Sequence, residues 1–277
     1  MYSFELRYLH GLNDGKALFF VLINPDIHTP GGLVLRTASE SEIKNRKDRY
    51  PQFILCEDTN QSLYSQLLCG LVQRDAIVSV GTFFASGLLR VIKFFEEHWQ
   101  EMSSNIRTGQ MSDWITDPNC KRAVSLILSK QMPDLADSID LVCQEKSWEG
   151  IIKKIWPRTK YVLAIITGSM AQYIPALEFY TGGLPVVSPL YGSSEAFFGI
   201  NMKPLCSPYD VSYTFIPNMA YYEFLPIDNH QDPNCTYRKD AHLKDHILDL
   251  NNVKIGQHYE LLVTTFTGEI TVLLNRP

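Results

Sequence analysis

The feature that most constrains the fold is a change in the apolar pattern near residue 190. Before that point, apolar runs of strand type alternate with amphipathic helical segments, whereas after it strand candidates dominate. Alternating strands and helices are typical of an α/β domain with a parallel sheet, and successive strands are typical of a β-rich part. The sequence therefore predicts an α/β fold with a mixed sheet flanked by helices and a β-rich C-terminal portion.

The individual segments follow from hydrophobic periodicity and from the Gly and Pro residues between them. Strands are predicted at Lys16–Asn24, Ala76–Val80, Tyr161–Ile166, Leu184–Ser188, Val211–Ile216, Ala220–Leu225 and His258–Thr265. Helices are predicted at Ser62–Leu71, Leu88–Met102 and Met170–Tyr180, with further helical segments between residues 105 and 160. Thr29–Leu33 has the composition of a turn. No linker or internal repeat marks a domain boundary in the sequence.

Charge, cysteine usage and hydropathy limit the classes of partner. The 25 basic and 30 acidic residues give a net charge of −5, which provides no basic surplus for nucleic acid. The most apolar long window, Ala76–Phe95, contains Arg90 and Lys93, so a buried helix with its preceding strand explains it better than a membrane span. Six scattered cysteines without a C-x-x-C pair are typical of reduced thiols. With no apolar signal core in Met1–Arg7, we expect a cytoplasmic protein without nucleic-acid or membrane partners.

One short motif carries chemistry. Tyr191–Glu195 reads Tyr-Gly-Ser-Ser-Glu and follows a predicted strand. Its residue types suit a nucleotide, since an aromatic ring can stack on adenine, hydroxyl groups can reach an α-phosphate, Gly192 allows close backbone approach and a carboxylate can hold Mg²⁺. The motif resembles the nucleotide motif of the luciferase and acyl-coenzyme A synthetase superfamily. Taken alone, such a segment is more often a loop in which a serine caps the following helix.

Further segments extend the resemblance along nearly the whole chain. They are Thr29–Leu33, Gln66–Gly70, Phe84–Arg90, Ile166–Tyr173, Tyr180–Pro185, Tyr191–Asn201, Tyr222–Pro226 and Tyr259–Gly268. In sequence and in order they are similar to the Gretchen Hagen 3 family, the auxin-responsive acyl acid amido synthetases. The resemblance implies that the fold is the central part of that family's large adenylating domain.

The resemblance also implies a two-step ligase that uses ATP and Mg²⁺. A small carboxylic acid of the auxin, jasmonate or benzoate type would react with ATP to give an acyl-adenylate and pyrophosphate. The amine of an amino acid would then attack the activated carbonyl, which gives an amide and releases AMP. This chemistry would connect the chain to plant hormone homeostasis.

Matching the family's motif position by position implies the site residues. The AMP-site residues would be Tyr191, Gly192, Ser193, Ser194, Glu195, Ala196 and Phe197. Glu195 would be the catalytic residue and the Mg²⁺ ligand, and Gly192 and Phe197 would also face the acyl group. A second loop would contact the acid and the amino acid, and it comprises Arg36, Thr37, Ala38, Ser39, Glu40 and Ser41. Because this loop differs from the family pattern at Thr-Ala-Ser-Glu, the substrate cannot be transferred with the resemblance.

Two departures from the family pattern bear on activity. Nothing before Lys16 resembles the family's phosphate loop, and Glu269–Pro277 stands where the family has a segment whose aspartate binds the ribose. We therefore expect residues 1–277 to be a partial adenylating domain that lacks the lid domain and measurable adenylating activity. The alternatives are a non-catalytic remnant that binds acyl acid or AMP weakly and an unstable truncated gene product. Residues 269–277 are expected to form a poorly anchored tail whose apolar side chains could join a sheet edge.

Overall fold

The structure is a computed structural model, and it describes residues 15–23, 26–35, 43–45, 51–193, 196–227, 247–266, 268 and 270–273. The chain divides into two compact units. The first, here called the α/β unit, contains Met1–Pro189 and Lys203–Val211. The second, here called the β unit, contains Leu190–Met202 and Ser212–Pro277.

A four-stranded parallel sheet forms the centre of the α/β unit. The strands of this unit are β1 (Lys16–Phe19), β2 (Ile27–His28), β3 (Val34–Leu35), β4 (Ile77–Phe84), β5 (Tyr161–Ile165) and β6 (Val186–Val187). The parallel sheet has the order β1-β4-β5-β6, and β2 and β3 form a separate antiparallel pair. The first six residues of β4 and the first four of β5 are buried. Continuous burial of this kind is typical of a parallel sheet that is covered on both faces.

Six α-helices with described bounds accompany this sheet. They are α1 (Thr59–Val72), α2 (Ala85–Thr108), α3 (Pro118–Ile127), α4 (Pro133–Cys143), α5 (Ile151–Ile155) and α6 (Ile174–Thr181). Short 3-10 turns lie at Gln52–Leu55, Arg74–Ala76, Gly168–Tyr173, Pro208–Asp210 and Leu250–Asn252. Side-chain caps define two helix starts, because the carboxylates of Asp58 and Asp117 accept backbone N–H groups at the beginnings of α1 and α3. Gly109 and Gly182 end α2 and α6 in the left-handed conformation that glycine adopts without strain.

Two residues of the Gln66–Gly70 segment hold α1 against β1. The side chain of Gln66 accepts the N–H of Val21 at 2.9 Å and donates to its carbonyl at 2.8 Å, in the manner of a neighbouring strand. A Cβ at Gly70 would lie 2.5 Å from a terminal methyl group of Leu18, so any larger residue requires that side chain to move. The carbonyl of Gly70 accepts a 2.9 Å hydrogen bond from the indole N–H of Trp156. This segment therefore organises the core of the α/β unit.

The β unit consists of two antiparallel sheets. Its strands are β7 (Leu190–Gly192), β8 (Phe197–Ile200), β9 (Thr214–Phe215), β10 (Tyr221–Pro226), β11 (Leu248–Asp249), β12 (Tyr259–Thr264) and β13 (Ile270–Leu273). The sheet orders are β7-β8-β9 and β11-β10-β12-β13. Buried side chains from both sheets form one small hydrophobic core. It comprises Phe198, Tyr222, Phe224, Leu261 and Val263.

The predicted fold class is confirmed: a helix-flanked parallel sheet precedes a β-rich antiparallel part. The Thr29–Leu33 turn is also confirmed, since Thr29 N–H donates to the Leu33 carbonyl at 2.8 Å. The predicted strand Lys16–Asn24 is too long, because β1 ends at Phe19 and Gln66 then satisfies the Val21 backbone. The predicted helix Met170–Tyr180 begins instead as a 3-10 turn, and α6 starts only at Ile174.

The C-terminal segment contributes one strand. Within residues 269–277, β13 pairs with β12 in antiparallel register at the edge of its sheet. The sequence allowed for such pairing, because the apolar residues of the tail are suited to joining the edge of a sheet. None of the helices in the described ranges combines the length and apolar character that a bilayer span requires.

A nucleotide-motif hairpin as the candidate functional site

The Tyr191–Glu195 motif lies on a β-hairpin of the β unit. Strand β7 pairs with β8 so that Tyr191 faces Gly199 and Gly192 faces Phe197, with an irregular register between Tyr191 and Gly192. The N–H of Ser193 donates to the Ala196 carbonyl at 3.0 Å and closes the ladder before the hairpin tip. A strand follows the motif, so the alternative of a serine that caps a helix is wrong.

The hairpin itself requires a glycine at position 192. A Cβ there would lie 2.7 Å from the Ala196 carbonyl oxygen and 3.2 Å from the Phe197 Cα, distances that β7 and β8 cannot accommodate without shifting. Gly199, opposite Tyr191, is equally confined, because a Cβ would lie 2.9 Å from the Thr214 carbonyl oxygen of β9. The two glycines thus allow three strands to pack closely around the motif.

The ring of Tyr191 is held by three other aromatic rings. It stacks on Tyr213 with centroids 5.5 Å apart and 19° between the planes, and it meets Phe198 edge-on at 5.7 Å and Phe215 edge-on at 6.3 Å. Beneath it, Phe198 is fully buried. Such offset and edge-to-face arrangements are favourable for aromatic quadrupoles. The phenol ring of the motif is therefore fixed in orientation.

Tyr222 anchors this aromatic cluster to the backbone. Its hydroxyl donates to the carbonyls of Phe198 and Ile216, each at 3.1 Å. Burial raises the pKa of Tyr222 above its ordinary value, so the hydroxyl keeps its proton and remains a donor. The anchor fixes β8, the strand that begins at Phe197, relative to β9 and β10.

The predicted site residues are only partly described. Tyr191 and Gly192 lie on β7, Ser193 follows them, Ala196 precedes β8 and Phe197 is its first residue. The fold brings these five residues together on one hairpin. Ser194, Glu195 and the loop Arg36–Ser41 lie outside the described residues.

The described part of the hairpin carries one exposed aromatic ring. The side chain of Phe197 is 54% exposed on a strand that the Tyr191 cluster holds in place, and an exposed ring on a rigid support is suited to stacking against a base. The Mg²⁺ ligand predicted for this motif is Glu195, which lies outside the described residues.

Sequence reasoning missed Tyr213 as a member of this site. Tyr213 belongs to none of the segments that resemble the family, and its strand prediction, Val211–Ile216, assigned it no role. Its stacking on Tyr191 depends on the pairing of β8 with β9, which no local pattern reveals. The only hint of this contact in the sequence is that both Tyr191–Asn201 and Val211–Ile216 contain more than one aromatic residue.

Two parts of the chain match the sequence models of one protein family. Residues 1–186 match the sequence model of the GH3 family N-terminal domain, and residues 213–270 match that of the GH3 family central domain. The chain is 50% identical to the Arabidopsis thaliana indole-3-acetic acid-amido synthetase GH3.17 over 95% of its own length and 46% of that relative. It is 44% identical to the Arabidopsis thaliana 4-substituted benzoates-glutamate ligase GH3.12, again over 95% of its length and 46% of the relative.

A solved structure extends the similarity to the fold. The GH3.15 acyl acid amido synthetase superimposes with a TM-score of 0.85 at 46% identity, covering 96% of this chain and 46% of that one. A second structure of GH3.15, in complex with 2,4-DB, gives a TM-score of 0.82 at 45% identity. The chain spans slightly less than half the length of these relatives. Two family domains matched in order and a shared fold lead to one conclusion: the chain belongs to the GH3 (Gretchen Hagen 3) family.

Proposed function

We propose that this chain forms the nucleotide- and acyl-binding part of an ATP-dependent acid–amino acid ligase. The observation that carries the proposal is the motif hairpin, in which Tyr191, Gly192 and Phe197 lie together on two paired strands. The names of the relatives support the reaction class, since indole-3-acetic acid-amido synthetase names an acid that is converted to an amide, and 4-substituted benzoates-glutamate ligase names an acid joined to an amino acid.

In the proposed reaction, a carboxylate oxygen attacks the α-phosphorus of ATP, and the bond to pyrophosphate breaks. The amine of an amino acid then attacks the acyl carbonyl, the carbon–oxygen bond to AMP breaks, and the amine loses a proton. The first step places negative charge on phosphate oxygens, so charge neutralisation and in-line positioning dominate its catalysis. Mg²⁺ would supply that neutralisation.

Each residue of the motif has a proposed role in this reaction. Phe197 offers an exposed ring for the adenine or for the acyl group, and the fixed Tyr191 ring forms a wall of the same site. Ser193 and Ser194 would contact phosphate oxygens, and Glu195 would bind Mg²⁺. The loop Arg36–Ser41 would contact the acid and the amino acid.

The proposed acid belongs to the auxin, benzoate or jasmonate class. The first two classes rest on the names of the relatives, and 2,4-DB in a GH3.15 structure is a further carboxylic acid. We also propose a cytoplasmic location, because the five cysteines of the described residues are all free thiols, as expected in a reducing compartment.

AMP binding to the 277-residue chain tests the nucleotide role. We expect AMP to raise the melting temperature in a concentration-dependent way, because a ligand that binds only the folded state stabilises it. Phe197→Ala should weaken binding by about tenfold or more, since stacking on one aromatic ring contributes about 1–3 kcal/mol. ATP with Mg²⁺ should lose affinity in Glu195→Ala.

The control is Phe266→Ala, which removes a ring of the same unit that is 87% exposed. Its AMP affinity should equal that of the unchanged chain. Equal losses in Phe197→Ala and Phe266→Ala, or no AMP binding to the unchanged chain, would contradict the proposed role of the hairpin.

A further inference from the structure

In the α/β unit, the thiol of Cys56 meets two groups that are distant from it in sequence, the carboxylate of Asp117 and the thiol of Cys120. The sulfurs of Cys56 and Cys120 and a carboxylate oxygen of Asp117 all lie within 4.8 Å of one another. Cys120 is fully buried and Cys56 is 5% exposed, so both thiols are shielded from bulk solvent. Neither forms a disulfide.

The supporting structure fixes all three groups. One oxygen of Asp117 accepts the N–H groups of Asn119 and Cys120, each at 2.9 Å, and its other oxygen accepts no hydrogen bond from the described residues. The buried Gln61 accepts the N–H groups of Thr116 and Asp117 at 2.7 and 2.8 Å. These two bonds link the start of α1 to that of α3, and the amide of Gln61 also donates to Asp58, the cap of α1.

The Cys120 sulfur also contacts the 3-10 turn that precedes Cys56. Its thiol donates to the Phe53 carbonyl, with 3.9 Å between sulfur and oxygen. Ordered neighbours of this kind orient the ligands of metal sites. The cluster is thus held from α1, from α3 and from the segment that precedes α1.

An open cavity of about 450 Å³ gives access to this cluster. Its lining includes Cys56 and Asp117 together with the acidic Glu57 and Asp58, and none of its lining residues is basic. The acidic lining favours a cation over an anion. Cys120 does not line the cavity, so solvent reaches the cluster from the side of Cys56 and Asp117.

We propose that Cys56, Asp117 and Cys120 bind a soft divalent cation, Zn²⁺, in the α/β unit. Thiolates bind Zn²⁺ in preference to Mg²⁺ or Ca²⁺, which take oxygen ligands. Two sulfurs at about 2.3 Å from a tetrahedral Zn²⁺ lie roughly 3.8 Å apart, within the observed separation. Both thiols release their protons to solvent when the ion binds, and a water molecule from the cavity completes the coordination.

The bound ion connects two segments that are distant in sequence and adjacent in the fold. Cys56 follows the 3-10 turn at Gln52–Leu55, and Cys120 lies in the first turn of α3. A ligand that binds the folded state alone stabilises that state, so Zn²⁺ raises the melting temperature of the chain.

Titration of the reduced 277-residue chain with Cd²⁺, a spectroscopic substitute for Zn²⁺, tests the proposal. We expect thiolate-to-metal charge-transfer absorption that saturates at one ion per chain and is displaced by Zn²⁺. Cys56→Ser and Cys120→Ser should abolish the saturating signal. Asp117→Asn, which retains a side chain able to cap α3, should weaken binding by about tenfold or more, as loss of even outer ligand partners does.

The matched control is Cys143→Ser, which removes a buried free thiol on α4 and should bind Cd²⁺ like the unchanged chain. Because a cysteine variant that fails to fold would also lose the ion, a second arm uses the unchanged chain. Zn²⁺ should protect Cys56 and Cys120 from alkylation, as located by mass spectrometry, and leave the rate at Cys206 unaltered. Absence of a one-to-one Cd²⁺ complex, retention of it in Cys120→Ser, or equal Zn²⁺ effects on Cys120 and Cys206 would overturn the proposal.

Discussion

Tyr191 and Tyr213 stack with their ring centroids 5.5 Å apart and their planes 19° from parallel. The pair joins β7 to the segment that leads into β9, across the intervening strand β8. One face of the motif tyrosine is therefore occupied by a side chain of the protein itself. The exposed aromatic surface of the motif lies instead at Phe197.

The first prediction concerns this pair. Tyr213→Ala should reduce the free energy of unfolding by about 1–2 kcal/mol, because an aromatic pair contributes beyond the area that it buries. Tyr213→Phe keeps the stacked ring and should therefore lose less stability than Tyr213→Ala. Urea unfolding followed by circular dichroism measures both values. A Phe variant as unstable as the Ala variant would show that the ring stack is not the stabilising contact.

The second prediction concerns the space at Gly192. Gly192→Ala should destabilise the chain by about 1–3 kcal/mol, because the added methyl group would overlap the Ala196 carbonyl and force the hairpin apart. Gly31→Ala is the control, since its Cβ would meet only the Thr29 hydroxyl at 4.0 Å. Thermal unfolding should separate the two variants. Equal melting temperatures would mean that the hairpin adjusts without cost.

The third prediction concerns the side chain of Gln66. Gln66→Leu should cost about 2–5 kcal/mol, because it leaves both the N–H and the carbonyl of buried Val21 without partners. The matched control is Gln144→Leu, which replaces an exposed glutamine at the end of α4 and should change stability by less than about 0.5 kcal/mol. The measurement compares the urea concentrations at the unfolding midpoints of the two variants, provided that the slope of unfolding free energy against urea concentration is the same for both. Similar midpoints for the two variants would contradict the strand-like role of Gln66.

The fourth prediction is a pH dependence at the cap of α1. Hydrogen bonds from the Gln61 side chain and from the Gln61 and Asn60 backbone lower the pKa of Asp58, although burial acts in the opposite direction. A lowered pKa means that its stabilisation is complete above the unfolded-state pKa and is lost as the pH falls through the folded-state pKa. Asp58→Ala should therefore cost about 1 kcal/mol at pH 7 and progressively less below about pH 4.

The measurement is urea unfolding between pH 3 and pH 7 with a chelator present, so that metal binding does not contribute. Asp58→Asn serves as the control, because asparagine caps a helix without titrating. A stability difference between the unchanged chain and Asp58→Ala that is constant with pH would show that the carboxylate charge does not support the cap.

Several motif residues could be assigned a function from the sequence, but the fold gives some of them a structural role. Gln66 and Gly70 belong to a segment that resembles the family, and they pair with Val21, Leu18 and Trp156 in the core. Gly192 was predicted to let a nucleotide approach the backbone. The fold requires a glycine there in any case, because a Cβ would collide with the Ala196 carbonyl oxygen. A motif in a sequence does not separate residues that contact a ligand from residues that position them.

The sequence by itself determined the order and type of most elements and the family. Local periodicity is enough for this, because the burial of one face of a helix or strand is written into every few residues. Tertiary structure alone decided the pairing of Tyr191 with Tyr213 and the meeting of Cys56 with Asp117 and Cys120. The two cysteines are 64 positions apart in the sequence, and no local spacing records which segments the packing of α1 against α3 brings together. The contacts that join distant segments depend on the whole core, and so they became visible only in the folded chain.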